Sequence, residues 1–179
     1  MSNDTLDKQV PDRSPLNTKN TAIKFGIIGG MGCVLVSVGL FLADMQFESW
    51  ARWIGTLVLI LAVILGIKAI ATENERKLKP FGSLFGAGML ITFIIAVISI
   101  LYFFLYLNFI ETDFTQKVLD VSRQQMMEKG LSEDQIDKAL EMTRKFTSPW
   151  IMAVFALIAN LFFGAIGSLI GAAIFKEDK

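Results

Sequence analysis

Four apolar runs, roughly Ala22–Ala43, Trp53–Ala71, Phe85–Ile110 and Pro149–Phe175, dominate this 179-residue chain. A run of ~20 residues at 1.5 Å per residue is long enough to cross a hydrocarbon core of ~30 Å. Hydrocarbon offers no partner to a backbone N–H or C=O, so such runs must satisfy their hydrogen bonds internally, as helices. The expected fold is all-α: a polytopic membrane protein with four transmembrane helices, and the lipid bilayer is its first partner. Residues 1–21 are polar and carry Pro11 and Pro15, and they read as a disordered tail. The first run begins too late and is too long for a cleaved signal peptide, so it is expected to remain as a span. The rest, 22–179, reads as one transmembrane domain.

Composition excludes more than it identifies. Basic and acidic residues number 17 each, so charge points to neither nucleic acid nor an acidic substrate. There is no histidine, which removes the commonest general base and metal ligand. The one cysteine, Cys33, lies inside the first run, so no disulfide can form within the chain, and the thiol reads as a small packing group. No span carries paired carboxylates, no loop is built to cradle phosphate, and no acidic residue lies deep in a span. The expectation is a protein without catalytic residues, metal or cofactor.

The charges also suggest an orientation. Ten of the 17 basic residues fall before the first run, in the link between the second and third, or at the C-terminus. In the short segments flanking the runs, the opposite side has only Arg52. Basic residues accumulate on the cytoplasmic side, so both termini are expected there. Trp50, Trp53, Trp150, Tyr102, Tyr106 and Phe109 all lie at the other ends of their runs, as an aromatic belt at headgroup level would.

The insert 111–148 is too polar for lipid and reads as an extracytoplasmic helical hairpin. Thr112–Lys129 is rich in helix formers, and Gly130 is placed to end it. Ser132, with Gln135 three residues on, makes a capping box, flanked by Leu131 and Ile136 as a hydrophobic staple. Ile136, Ala139, Leu140, Thr143 and Phe146 then repeat along one helical face. Asp134 with Lys138 and Glu141 with Lys145 stand at i,i+4 spacing. One face of the hairpin packs on its own partner helix in the plainer reading. In the sharper one Met126, Met127, Ile136 and Leu140 dock another envelope protein, because methionine surfaces adapt to partners.

Small residues in the spans suggest helix packing. Gly26 and Gly30 in the first run, and Gly164, Gly167 and Gly171 in the last, have the spacing that lets helix backbones approach. They read as a seam between the first and fourth spans, with self-association or a re-entrant segment at the Pro80–Gly88 stretch as alternatives. Asn160 is the one strongly polar side chain near a span midpoint, and Asn108 lies near the end of the third. Each amide reads as an interhelical hydrogen-bonding group or, alternatively, as part of a solute path.

The order of elements resembles a known family. Lys24–Gly30 (Lys-Phe-Gly-Ile-Ile-Gly-Gly) opens the first span, Gly66-Ile67-Lys68 lies near the end of the second, and Phe81–Gly88 leads into the third. The insert carries Gly-Leu-Ser-Glu-Asp-Gln-Ile at Gly130–Ile136, and a glycine-rich last span ends in lysine. From Ala22 to the C-terminus the chain is similar to the DUF4199 proteins. That resemblance implies a bacterial inner-membrane protein with four spans, and it carries over no active site. Two functions stay open on the sequence: a scaffold or accessory protein acting through protein contacts, or a small oligomeric channel or transporter component.

Overall fold

The computed structural model describes residues 15–48, 50–72 and 80–176, with backbone only at 15–17 and 52. The expected tail to residue 14 and the basic link 73–79 lie outside the described residues. Six α-helices follow in order: α1 Pro15–Leu42, α2 Ala51–Thr72, α3 Phe81–Leu105, α4 Phe114–Glu128, α5 Glu133–Phe146 and α6 Pro149–Phe175. Four of the described helices are long and apolar enough to cross a membrane, with spans at Thr18–Leu42, Trp53–Thr72, Phe81–Ile110 and Pro149–Phe175. α4 and α5 are not, and they form a hairpin between the third and fourth spans.

Two boundaries differ from those read in the sequence. α1 begins at Pro15, so residues 15–21 are already helical rather than part of a disordered tail. Proline suits a first helical turn, where the N–H it lacks has no partner anyway. At the third span, Pro80 is the extended N-cap and a regular helix runs from Phe81. The glycines there do not break it, so no re-entrant segment forms.

The spans pack as a square in the order α1, α2, α6, α3, with α2 and α3 also touching across one diagonal. α1 and α6 occupy the other diagonal. This overturns the expected seam between them. The glycines do face the interior, but their partners are α2 and α3. A Cβ at Gly26 would meet Ile94 at 2.7 Å, one at Gly30 would meet Ile98 at 2.7 Å, and one at Gly171 would meet Ile67 at 2.8 Å. A Cβ at Gly164 would overlap the Thr92 side chain, whereas at Gly167 it would reach Ile60 only at 3.6 Å. Buried Thr92 and Ser168 satisfy their hydroxyls within their own helices, on Gly88 O at 2.9 Å and Gly164 O at 2.7 Å, so they enter the seam without an unpaired donor.

The core is concentrated toward one end. Leu59, Val63, Ile67, Ile70, Leu84, Ile91 and Ile95 are fully buried, and they lie in the terminal half, where α1 begins and α6 ends. The other half, beside the hairpin, buries few large side chains. Register explains why. Gly167, eighteen residues into α6, lies against Ile60, nine residues into α2, so at 1.5 Å per residue α2 starts ~13 Å further from the hairpin end than α6 does. A short link, not a fourth helix, fills the corner above α2. Its first turn closes α1 through bonds from Asp44 N to Phe41 O and Met45 N to Leu40 O, with Asp44 at φ 54° where glycine is usual.

The hairpin forms as its sequence predicts. Gly130, at φ +74°, donates to Met127 O at 2.9 Å and Leu131 N donates to Met126 O at 3.2 Å, the paired bonds of a glycine helix stop. The capping box at Ser132 is present, with Ser132 N donating to Gln135 Oε1 at 3.1 Å. Glu141 and Lys145 pair at 3.2 Å. Asp134 and Lys138 do not pair among the described residues; instead Asp137 meets Arg123 of α4 at 4.0 Å.

Candidate functional site

The corner above α2 holds a cavity of about 340 Å³. Ser37 and Leu40 of α1, Gln46 of the link and Ala51 of α2 form one side. Ser99, Phe103 and Tyr106 of α3, Ala156 and Asn160 of α6, and Phe114 at the start of α4 complete it. Its walls are mainly carbon and aromatic; the first, third and fourth spans contribute, and α2 only through Ala51 at its start. The cavity exists because the core ends where α2 ends.

At the cavity mouth stands a polar joint that the sequence reading missed. α3 does not stop at Leu105 but continues as a π-helical turn, Tyr106–Ile110, in which Glu111 N donates to Tyr106 O at 2.9 Å. The wider turn brings Tyr106 and Glu111 inward, each 7% exposed. The Tyr106 hydroxyl donates to Gln46 Oε1 at 2.5 Å and lies 3.2 Å from Glu111 Oε2. Gln46 Nε2 donates to the same carboxylate oxygen at 3.4 Å, and Lys117 Nζ of α4 pairs with Glu111 Oε1 at 2.6 Å. A buried charge is tolerated only when paired and hydrogen-bonded, and Glu111 is both. The Lys117 hydrogen bond is the main reason its carboxyl sits below the ordinary value of 4.5, against the opposing effect of burial; Gln46 and Tyr106 add to the lowering. The Lys117 ammonium is raised in turn, first by its bond to Glu111.

Aromatic rings back the joint. Phe114 lies 5.9 Å from Phe47, 6.3 Å from Phe103 and 6.1 Å from Tyr106, and Phe41 meets Tyr106 edge-on at 5.6 Å. The hairpin is thus rooted in the bundle by one ring and one ion pair. Tyr106 therefore leaves the expected belt and turns inside, while Trp50, Trp53, Trp150 and Phe109 remain exposed. The available signal was the spacing of Tyr106, Glu111 and Lys117 at i, i+5 and i+11 beside a link that contains Gln46. Interface aromatics and the first acidic residue after a span are so common that the spacing was not informative alone.

The other sequence candidates separate clearly. Asn160 lines the cavity and has no hydrogen-bond partner among the described residues. Asn108 is exposed, and its Nδ2 donates to Phe104 O of its own helix at 2.7 Å, so it bonds no neighbouring span. In the hairpin, Ile136 is buried and Leu140 and Met126 are half-buried, whereas Met127 is 61% exposed. Among the described residues no three of His, Cys, Asp and Glu come together as metal ligands.

The family model described as protein of unknown function (DUF4199) matches residues 24–177. The chain belongs to that family. No curated protein and no solved structure matches it. For a DUF4199 protein the organisation is now explicit: four spans, a glycine-packed half, and a cavity under the root of a helical hairpin.

Proposed function

We propose that this DUF4199 protein is a non-enzymatic accessory protein of the bacterial inner membrane that works by contacting another envelope protein through its hairpin. The observation that carries the reading is how the hairpin is held. It is fixed firmly at its root by Phe114 and the Glu111–Lys117 pair, yet along its length Met127 and Met142 stand 61% and 63% exposed. A rigidly mounted element with flexible, polarizable side chains on its surface is suited to recognition. Glu111, the one buried acid among the described residues, is fully engaged in that mounting, which leaves it no free group for acid–base chemistry. The distribution of basic residues supports cytoplasmic termini and an extracytoplasmic hairpin.

Photo-cross-linking from positions 127 and 142 in native membranes tests this reading. The expected result is one discrete heteromeric adduct from both positions, absent when the probe is moved to exposed Phe162 in a span. Adducts between copies only, together with no phenotype on removal of the hairpin tip, would refute it.

A second reading is a channel or transporter component, favoured by Asn160 in the cavity wall. Against it, side chains pack into the glycine seam and fill the terminal half, which makes the cavity blind within one chain. Proteoliposomes of the wild type as tight as empty ones are expected, and solute flux abolished by Asn160→Leu would reverse the ranking.

A further inference from the structure

We infer that the cavity above α2 is a binding site for a small uncharged, ring-bearing molecule that carries a hydrogen-bonding oxygen. The inference is independent of the hairpin's role.

Size comes first. At about 340 Å³ the cavity is at the lower end of the range for small-molecule pockets, so it accepts a compact ligand and not a two-chain phospholipid. Charge comes second. Glu111, beside the mouth, is paired with Lys117 at 2.6 Å, and among the described residues no Asp, Glu, Lys or Arg lines the interior. An ion would enter at full desolvation cost with no counter-charge.

Polar chemistry is third and most specific. Asn160 lies eleven residues into α6, so its amide is ~17 Å below Pro149, about midway across a ~30 Å core. Neither this amide nor the Ser99 hydroxyl has a partner among the described residues, although both line the cavity. Ser37, Thr72, Thr92 and Ser168, by contrast, are satisfied on their own helices. An amide left open at the bottom of an apolar cavity is a group an occupant can satisfy, with its N–H donating to a carbonyl or hydroxyl oxygen. Finally, Tyr102, Phe103, Tyr106 and Phe114 present rings to the space, which favours a flat ring over a flexible chain.

Benzophenone combines an uncharged ring system, a ketone oxygen and intrinsic photoreactivity, so it is both probe and label. The full-length protein in proteoliposomes is irradiated with benzophenone and the adducts are mapped by peptide mass spectrometry. Adducts are expected to concentrate at Leu40, Ile100 and Phe103. Filling the cavity from exposed wall positions, by Ala156→Phe or separately by Ser37→Phe, should reduce them at least about tenfold. Asn160→Leu keeps the volume and removes the amide, and should reduce labelling by roughly fivefold, the worth of about one hydrogen bond. Unlabelled 1-naphthol should compete. Labelling spread over lipid-facing Phe93, Leu101 and Phe162, unchanged by the filling variants, would overturn the site. Undiminished labelling in Asn160→Leu would overturn the hydrogen-bonded oxygen. Competition by hexadecanoic acid but not by 1-naphthol would assign the cavity to an acyl chain and overturn the ring.

Discussion

The two ends of the bundle solve the same packing problem in opposite ways. In the terminal half, glycines on α1 and α6 let isoleucine side chains of α2 and α3 come within contact distance, and the space is filled. In the hairpin half, α2 is missing from its corner, and a link, a tyrosine and a carboxylate close over a cavity instead. Lipid tails supply no hydrophobic drive between helices, so association rests on contact and on hydrogen bonds. The first half uses contact. The second uses a small polar network, which leaves room inside. Stability and the capacity to bind are thus placed at different depths of one four-helix unit.

The largest expected effect tests the packed half. Gly164→Ala puts a methyl group into Thr92 and should destabilise the bundle by about 2–3 kcal/mol, a typical overpacking cost. Unfolding by SDS in mixed micelles measures it, and Ala156→Phe in the cavity half should change the same midpoint by less than about 0.5 kcal/mol. Equal losses in the two variants would erase the distinction between the halves. Next comes the joint. Glu111→Ala removes the acceptor shared by Gln46, Tyr106 and Lys117, and backbone amides in the first turn of α4 should exchange with deuterium roughly tenfold faster. Amides of the terminal half should stay as in the wild type.

Acid should produce a weaker version of that change. The Glu111 carboxyl is depressed in the folded protein, so its contribution is fully present above the ordinary value of 4.5 and is lost as pH falls through the lower folded value. Exchange in the first turn of α4 should therefore stay slow through pH 5 and accelerate only below the usual carboxylate range, and Glu111→Gln should flatten that profile. Loosening already at pH 6 would mean that another group controls the joint. The smallest effect concerns Asp44, whose positive φ costs a side-chain residue what glycine avoids. Asp44→Gly should stabilise by about 0.5–1 kcal/mol in the same SDS titration, and a loss would show that its carboxylate has a role beyond the turn.

Much of the architecture was legible because the signals were local. Long apolar runs gave the spans, Gly130 gave the end of α4, and the Ser132–Gln135 pair gave the start of α5. What failed was long-range. The spacing of Gly26, Gly30, Gly164, Gly167 and Gly171 marks faces that pack closely, yet carries no statement of which helix they meet; square packing put α1 and α6 on a diagonal. The cavity left still less trace, because it follows from how far α2 is displaced along its neighbours. The Tyr106–Glu111 pairing was hidden for another reason: a helix assumed to be α-helical to its end places Glu111 about 140° around from Tyr106.

That π-helical turn has a consequence for how the protein can change. An α-helix rotates by about 100° per residue, so one residue more or fewer turns everything beyond it to another face. Here the wider turn takes up the extra residue, so Glu111 closes on Tyr106 five residues on where an α-turn would close four on; removing Leu107 would let the end of α3 wind as an ordinary α-helix with Glu111 still on the face of Tyr106. A one-residue length change within this turn is thus a mutational step that both the span and the hairpin mount tolerate, whereas the same change in the α-helical part of α3 would rotate Tyr106 and Glu111 away from Gln46.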